Sequence, residues 1–368
     1  MECRLIQMEL PSEIIAIIFS RLSGKDIGRA ACVCGQWSTV AAHDHTLWRK
    51  VYERDFGVTR HQTRLSNWKE SYLLERRWRS GTVHSTSINA GCEVMCLTFC
   101  GSLIFSGGSD GAIRVWDMAS RKLVQVLNSH QDIVTCIQVD EAKIVSGSFD
   151  GTVKIWEVCN GLMVTTLRCH SREVMCLKFQ GNRLVTGSVD TTLKVWDLDS
   201  KTCMNTLEGH QHHVNCLDMD AGRAVSGSGD ATIKVWDLES GECVRTLKGA
   251  NQYLTCVRIW GDFIVSGSKD TLIRIWDIGT GRCIRELKGH ADAVACIQLS
   301  GGKIVSGAWD TDIKVWDFGS GKCVRTLEGH DECVLSVKLD EEKVVSGSWD
   351  CTVRIWDFSG ESTAMHKV

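Results

Sequence analysis

The sequence predicts a mainly β molecule: a closed ring of seven repeated β units, preceded by a small all-α head and a helical connector. Three observations carry this. One motif recurs seven times, from GSDGAIRVWD to GSWDCTVRIWD, with tryptophans at Trp116, Trp156, Trp196, Trp236, Trp276, Trp316 and Trp356. The step is 40 residues throughout, without an insertion, which marks a repeat architecture. Inside each copy, runs such as IVTCIQV, KIVSGS and TVKIWEV are β-branched and broken by Gly, Ser and Asp. That is the pattern of short strands and tight turns. Residues 1–81 lack the repeat and carry the sole proline, Pro11, just before an apolar helical stretch.

The boundaries read as an N-terminal segment 1–9, a head 10–56, a connector 57–81, the ring 82–358 and a tail 359–368. With 43% hydrophobic and 24% charged residues, the chain is ordinary for a globular protein. A net charge of −3 points to neither nucleic acid nor an anionic membrane surface. Of nineteen cysteines, six keep the repeat step (Cys96, Cys136, Cys176, Cys216, Cys256, Cys296), as do Cys203, Cys243, Cys283 and Cys323. They are template positions rather than a disulfide framework. With no secretory signal ahead of them, they read as reduced thiols of a cytoplasmic and/or nuclear protein. The run IIAIIF is bracketed by Glu9, Glu13 and Arg21 and falls short of the roughly 18 apolar residues of a membrane span.

In the head, Ser12 is placed to cap a helix beginning near Glu13. Ile14, Ile18 and Arg21 form one stripe of it; Ile15, Phe19 and Leu22 form the next, with Ile17 beside them. Asp26 starts a second helix through IGRAACVCGQW, and His45 or Thr46 a third. About 45 residues make a poor core alone. A helix apolar over most of its circumference therefore suggests a partner on its remaining face. The pattern LPxEIxxxIFSxL, a DI pair, VCxxW and LW resembles the F-box. That resemblance implies docking on the Skp adaptor, and through it a cullin, by Leu10, Pro11, Ile14, Ile18, Phe19, Leu22, Ile27, Val33, Cys34 and Trp37. Glu13, Asp26, Leu47 and Trp48 also fall in register. A rival reading takes Cys32-x-Cys34 and His43-x-His45 as zinc ligands. The spacing is unlike zinc sites, and Cys34 already belongs to the F-box pattern, so neither metal nor cofactor is expected. In the connector, Trp68, Tyr72 and Leu73 recur at helical spacing among charges, predicting a packed helix; its basic residues read as a solvated face.

The seven motifs resemble the WD-repeat family, whose unit is one four-stranded blade of a β-propeller. One blade cannot bury both its faces, whereas a closed ring can. The last motif ends at Asp357, which leaves blade seven short of a strand; TVHSTSI (residues 82–88) is predicted to complete it. The family tetrad of His, Ser or Thr, Asp and Trp is matched in five blades, for example by His130, Ser146, Asp150 and Trp156. Ala90 and Ala250 replace the His in blades one and five, leaving those networks incomplete. A Ser, His and Asp together invite a catalytic reading. Five copies of one constellation are scaffold, so no catalytic residue is assigned. The cation before each WD, Arg114, Lys154, Lys194, Lys234, Arg274, Lys314 and Arg354, reads as an aliphatic stem between blades with a solvated head.

By the same resemblance, the partner site is the end of the propeller around the central channel. Three template sets locate it, beginning at Ser109, Met95 and Glu93 and repeating every 40 residues. Several F-box/WD-repeat receptors read phosphorylated segments there with arginines. These 21 positions hold no arginine, one lysine and two glutamates, so the sequence departs from that pattern. Phe149, Tyr253, Trp309 and Trp349, with Met95, Met175 and Lys269, are the expected substrate contacts, Trp309 and Trp349 stacking across adjacent blades. The expected function is a non-catalytic substrate receptor of a Skp–cullin–F-box ubiquitin ligase. The alternative is a WD-repeat scaffold whose head recruits a partner without ubiquitination.

Overall fold

The computed structural model describes residues 12–32, 35–56, 67–128, 130–220 and 222–359. The chain divides into two compact units: the residues up to Val83 together with Phe358 onward, and His84–Asp357.

The helical unit contains α1 (Ser12–Ser20), α2 (Gly24–Ala30), α3 (Gly35–His43), α4 (His45–Phe56) and α5 (Trp68–Ser80). Ser12 lies inside α1 rather than before it. The single helix expected from Asp26 is two. Ser23 caps α2 by accepting from the Asp26 amide at 3.3 Å, and α3 restarts at Gly35, a poor residue for a helix interior. The core is Ile15, Phe19, Ile27, Val40, Ala41, Leu47, Trp48, Val51, Tyr52 and Tyr72. Tyr72 belongs to α5, so the connector helix completes the head's own core. Asn67 caps it, accepting from the Lys69 and Glu70 amides. Arg54 ties α4 to the end of α1, donating to the carbonyls of Ser20 at 2.7 Å and Leu22 at 2.8 Å. These are orphan acceptors after a helix C-terminus. No described helix is long and apolar enough to cross a membrane.

The second unit opens with β1 (His84–Asn89). Blade one follows as β2 (Val94–Cys100), β3 (Leu103–Gly108), β4 (Ala112–Asp117) and β5 (Leu123–Asn128). Five further blades repeat the unit: β6–β9 (134–168), β10–β13 (174–207), β14–β17 (214–248), β18–β21 (254–287) and β22–β25 (294–327). Blade seven is β26 (Val334–Leu339), β27 (Lys343–Ser348) and β28 (Thr352–Asp357), with β1 as its fourth strand. β1 pairs antiparallel with β28 from His84 opposite Asp357 to Asn89 opposite Thr352. The predicted completion of blade seven is thus observed, displaced by one to two residues. The innermost strands β2, β6, β10, β14, β18, β22 and β26 pack side by side, and β26 returns to β2. The ring is closed, which removes the open edge. Hydrophobic clusters lie between blades. Val145, Val153, Ile155 and Leu167 of blade two, for example, pack on Val174, Leu177, Phe179 and Trp196 of blade three.

Candidate partner-binding sites

On α1 the two apolar stripes part company. Ile15 and Phe19 have no exposed surface, whereas Ile17 and Ile18 are 59% and 37% exposed. Of the expected adaptor residues, Ile18 therefore presents a free side chain, and Leu22 and Trp37 are half-buried. Phe19 and Ile27 are core residues with nothing left to offer a partner; Phe19 meets Trp37 edge-on at 5.4 Å. Treating every apolar match in the motif as a contact residue is corrected here: the inner stripe is needed to build the head. Ile17, absent from the expected set, is the most exposed apolar side chain among the described residues of α1. Leu10, Pro11, Val33 and Cys34, and the side chain of Ile14, lie outside the described residues.

In the ring, the five tetrads form as expected. The His130 ring faces Asp150 through Nδ1 at 2.9 Å and Ser146 through Nε2 at 2.9 Å, and Trp156 Nε1 donates to the same Ser146 oxygen at 3.0 Å. Blades one and five are not left incomplete. Where the His is missing, the pre-WD cation turns onto the turn aspartate: Arg114 bonds Asp110 at 2.5 Å and Arg274 bonds Asp270 at 2.8 Å. Arg274 also reaches Glu286 at 3.0 Å and is only 1% exposed. Lys154 is buried too, with Nζ donating to Thr166 at 3.3 Å. The expectation of solvated heads fails at these two positions because polar partners await them inside.

The end of the ring that carries the turn aspartates is held by one bond repeated seven times. The amide before each turn Asp donates to the carbonyl sixteen residues earlier, as in Phe149 to Ile133 (3.0 Å), Lys269 to Tyr253 (3.1 Å), Trp309 to Ala293 (2.9 Å) and Trp349 to Cys333 (3.1 Å). This bond joins the first template set to the third around the channel mouth. Trp309 and Trp349 stack with centroids 6.4 Å apart and planes at 27°. Trp349 is 41% exposed. Lys269, exposed, lies with Nζ 5.2 Å from the centroid of the half-buried Tyr253 ring. Blades five, six and seven thus carry an arc of aromatics, Tyr253 on the first and the Trp309–Trp349 stack on the other two. Phe149, on blade two, and Met95 and Met175, on blades one and three, are half-buried and outside that arc. Met95 lines the channel instead.

The channel is lined by the six thiols Cys96, Cys136, Cys176, Cys216, Cys256 and Cys296, with Ser336 in the seventh place. Burial pushes these thiols up, Cys136 to about 12 and Cys256 to about 11, which disfavours the reactive thiolate. Thr135 donates to the Val174 carbonyl at 2.6 Å and Asn215 to the Leu254 carbonyl at 2.7 Å. These two members of the second set stitch neighbouring blades together.

Residues 8–54 match the family described as F-box-like. Seven stretches, 81–117, 121–157, 161–197, 201–237, 241–277, 281–317 and 321–357, match the WD domain, G-beta repeat. A Drosophila melanogaster protein, "F-box/WD repeat-containing protein 7", is 34% identical over 141 residues, which is 33% of this chain and 11% of that one. The chain therefore spans about a tenth of the relative it matches. Among solved structures, the computationally designed Ika8 protein aligns with a TM-score of 0.62 and 31% identity, over 74% of this chain and 98% of its own.

Proposed function

Since the chain belongs to the F-box/WD-repeat proteins, we propose that it is the substrate-recognition subunit of a Skp–cullin–F-box ubiquitin ligase. The head docks on the Skp adaptor, and through it a cullin; the aromatic arc at the channel mouth holds the protein to be ubiquitinated. The observation that carries this reading is the pair Ile17 and Ile18, left exposed on a helix whose other side is spent in the core. An exposed apolar pair beside a completed core is the signature of a surface awaiting a partner. The arc supports the second half: Trp and Tyr dominate binding hot spots, and Lys269 over Tyr253 adds a cation beside an aromatic face. The chain performs no bond chemistry in this role. It raises the effective concentration of substrate lysines near a ubiquitin-charged enzyme. It acts in the cytoplasm, the nucleus or both, where adaptor and cullin are found.

Two measurements test the two halves. Ile18→Asp is expected to abolish binding of the purified full-length chain to the Skp adaptor while its β circular dichroism is unchanged. Retained binding would remove α1 from the interface. In cells, loss of the chain is expected to lengthen the half-life of at least one protein captured by the ring. If captured proteins all keep their half-lives, the chain is a scaffold.

A further inference from the structure

The channel contains a ring of charge that the proposed function does not use. Two residues beyond each channel-lining thiol or Ser336, the seven inner strands carry Thr98, Gln138, Lys178, Asp218, Arg258, Gln298 and Lys338. Gln138, Lys178, Arg258 and Lys338 line a cavity of about 160 Å³ together with the thiols. Both glutamines and the aspartate are already committed. Gln138 exchanges both amide groups with the backbone of Phe179, at 2.8 and 2.9 Å. Gln298 accepts from Arg258 Nε at 3.0 Å. Asp218 holds Lys178 at 3.2 Å with one oxygen and accepts from the Ile259 amide at 2.9 Å with the other. Lys338 stands between Gln298 and Thr98 in ring order. It has neither a carboxylate nor a hydrogen-bond partner among the described residues. Three cations thus face one carboxylate inside a narrow, part-desolvated space, where like charges repel more strongly than in water.

We infer that this channel binds a free phosphate-type oxyanion, held by Lys338 and Arg258 with Lys178 completing the positive ring. The cavity admits it: a water takes about 30 Å³ of liquid volume, so the space suits a small oxyanion with a few waters. The anion supplies the acceptors that Lys338 lacks and offsets the surplus charge, through charge-assisted hydrogen bonds. Burial, and then the charges of Arg258 and Lys178, push the free Lys338 ammonium down to about 7. The groups facing it are Arg258 from β18, Lys178 from β10, Asp218 from β14 and the Cys96 thiol from β2. Binding is therefore tighter below neutrality, where Lys338 is charged.

The probe is sulfate, whose charge is constant across this range, titrated calorimetrically into the full-length chain at matched ionic strength, at about pH 6 and about pH 8.5. Saturable binding, tighter at the lower pH, is expected. Lys338→Met is expected to bind about tenfold more weakly and to be no less stable than the parent without anion. Lys338→Arg, charged at every pH used, is expected to bind with little pH dependence. Lys248→Met, on an exposed outer strand, serves as the control and binds like the parent. Equal sulfate binding by the parent and Lys338→Met overturns the site. So does an absence of saturation, which would mean that Lys338 settles its excess charge by releasing its proton. Inorganic phosphate and a phosphoserine peptide form the second pair of arms. Binding of the peptide alone overturns the free-ion reading.

Discussion

At the scale of single residues, the tetrad shows how one hydrogen-bond order follows from chemistry alone. Indole Nε1 is a donor and a carboxylate is an acceptor. With His130 Nδ1–H donating to Asp150, Nε2 is left as an acceptor, so the Ser146 hydroxyl donates to it and receives the Trp156 N–H. A neutral imidazole gives the Ser146 hydroxyl its closer acceptor, at 2.9 Å; beside an imidazolium it would have to turn to the Lys154 carbonyl at 3.5 Å. Ser146→Ala orphans both the Trp156 donor and the His130 acceptor in a fully buried place. The expected loss is about 2–4 kcal/mol, read as a lower urea midpoint. An unchanged midpoint would mean that water replaces the hydroxyl. The Arg-for-His exchange obeys the same accounting. Ala250 leaves Asp270 without an imidazole, and Arg274 reaches it from four positions along the chain. Arg274→Met takes the cation from Asp270, which keeps only the Ser268 hydroxyl and the Asn251 and Leu272 amides, and is expected to cost about 3 kcal/mol, the lower end for a broken buried pair. The corresponding Arg354→Met, in a blade that keeps His330 on Asp350, is expected to cost clearly less. Equal losses would show that the arginine does not stand in for the histidine.

At the scale of elements, the division of α1 into a core side and an open side decides what each substitution reports. Phe19→Ala empties a site with no exposed surface and is expected to destabilise the head by about 3–5 kcal/mol. Ile17→Asp replaces a side chain already in water and is expected to leave head stability within about 0.5 kcal/mol. Tryptophan fluorescence during urea unfolding separates the two; comparable losses would mean that Ile17 packs somewhere. The elements were legible in the sequence to different depths, for physical reasons. The strands were plain because a 40-residue step repeats every local signal seven times, and even β1 fell in register. The break between α2 and α3 is missed because Gly35 is a weak mark in IGRAACVCGQW, a stretch with no proline to end the first helix. The face of α1 was read only in part. Periodicity separates stripes but does not say which one turns inward; that is set by Val40, Leu47, Val51 and their neighbours on other helices. The buried guanidinium of Arg274 was equally out of reach. Its template position predicts a strand residue, and its partner is decided by a histidine lost 24 residues earlier, at Ala250.

At the scale of the whole molecule, the tetrads and Lys338 bias stability with pH in one direction, and the channel thiols oppose them at the alkaline end. Burial lowers the affinity of His130, His170 and His330 for protons below the ordinary value of 6.5, and the aspartates only partly offset it. The unfolded chain therefore protonates these residues first, and stability is lost as pH falls below about 6.5. For Asp150, burial alone would raise the carboxyl; hydrogen bonds from Thr152, the Gln131 amide and His130 more than reverse this, and its affinity ends below the ordinary 3.8. That contribution is complete above about pH 4 and is lost on further acidification. Lys338 acts with the same sign at the other end. Between about 7 and its ordinary 10.5 the folded chain has released a proton that the unfolded chain still holds, so stability rises with pH. Because each inter-blade core joins two neighbours and the ring has no free end, a weakened blade is felt by those on either side. The ring is expected to unfold in one transition whose urea midpoint climbs from about pH 4 to about pH 6.5 and climbs again between about pH 7 and about pH 8; above that the channel thiols, kept protonated by burial while those of the unfolded chain ionise, turn it down. Lys338→Met is expected to remove the second rise and leave the first. A midpoint flat between pH 5 and pH 6.5 would show that the imidazoles carry their protons in the folded ring, and the hydrogen-bond order derived from Ser146 would then have to run the other way.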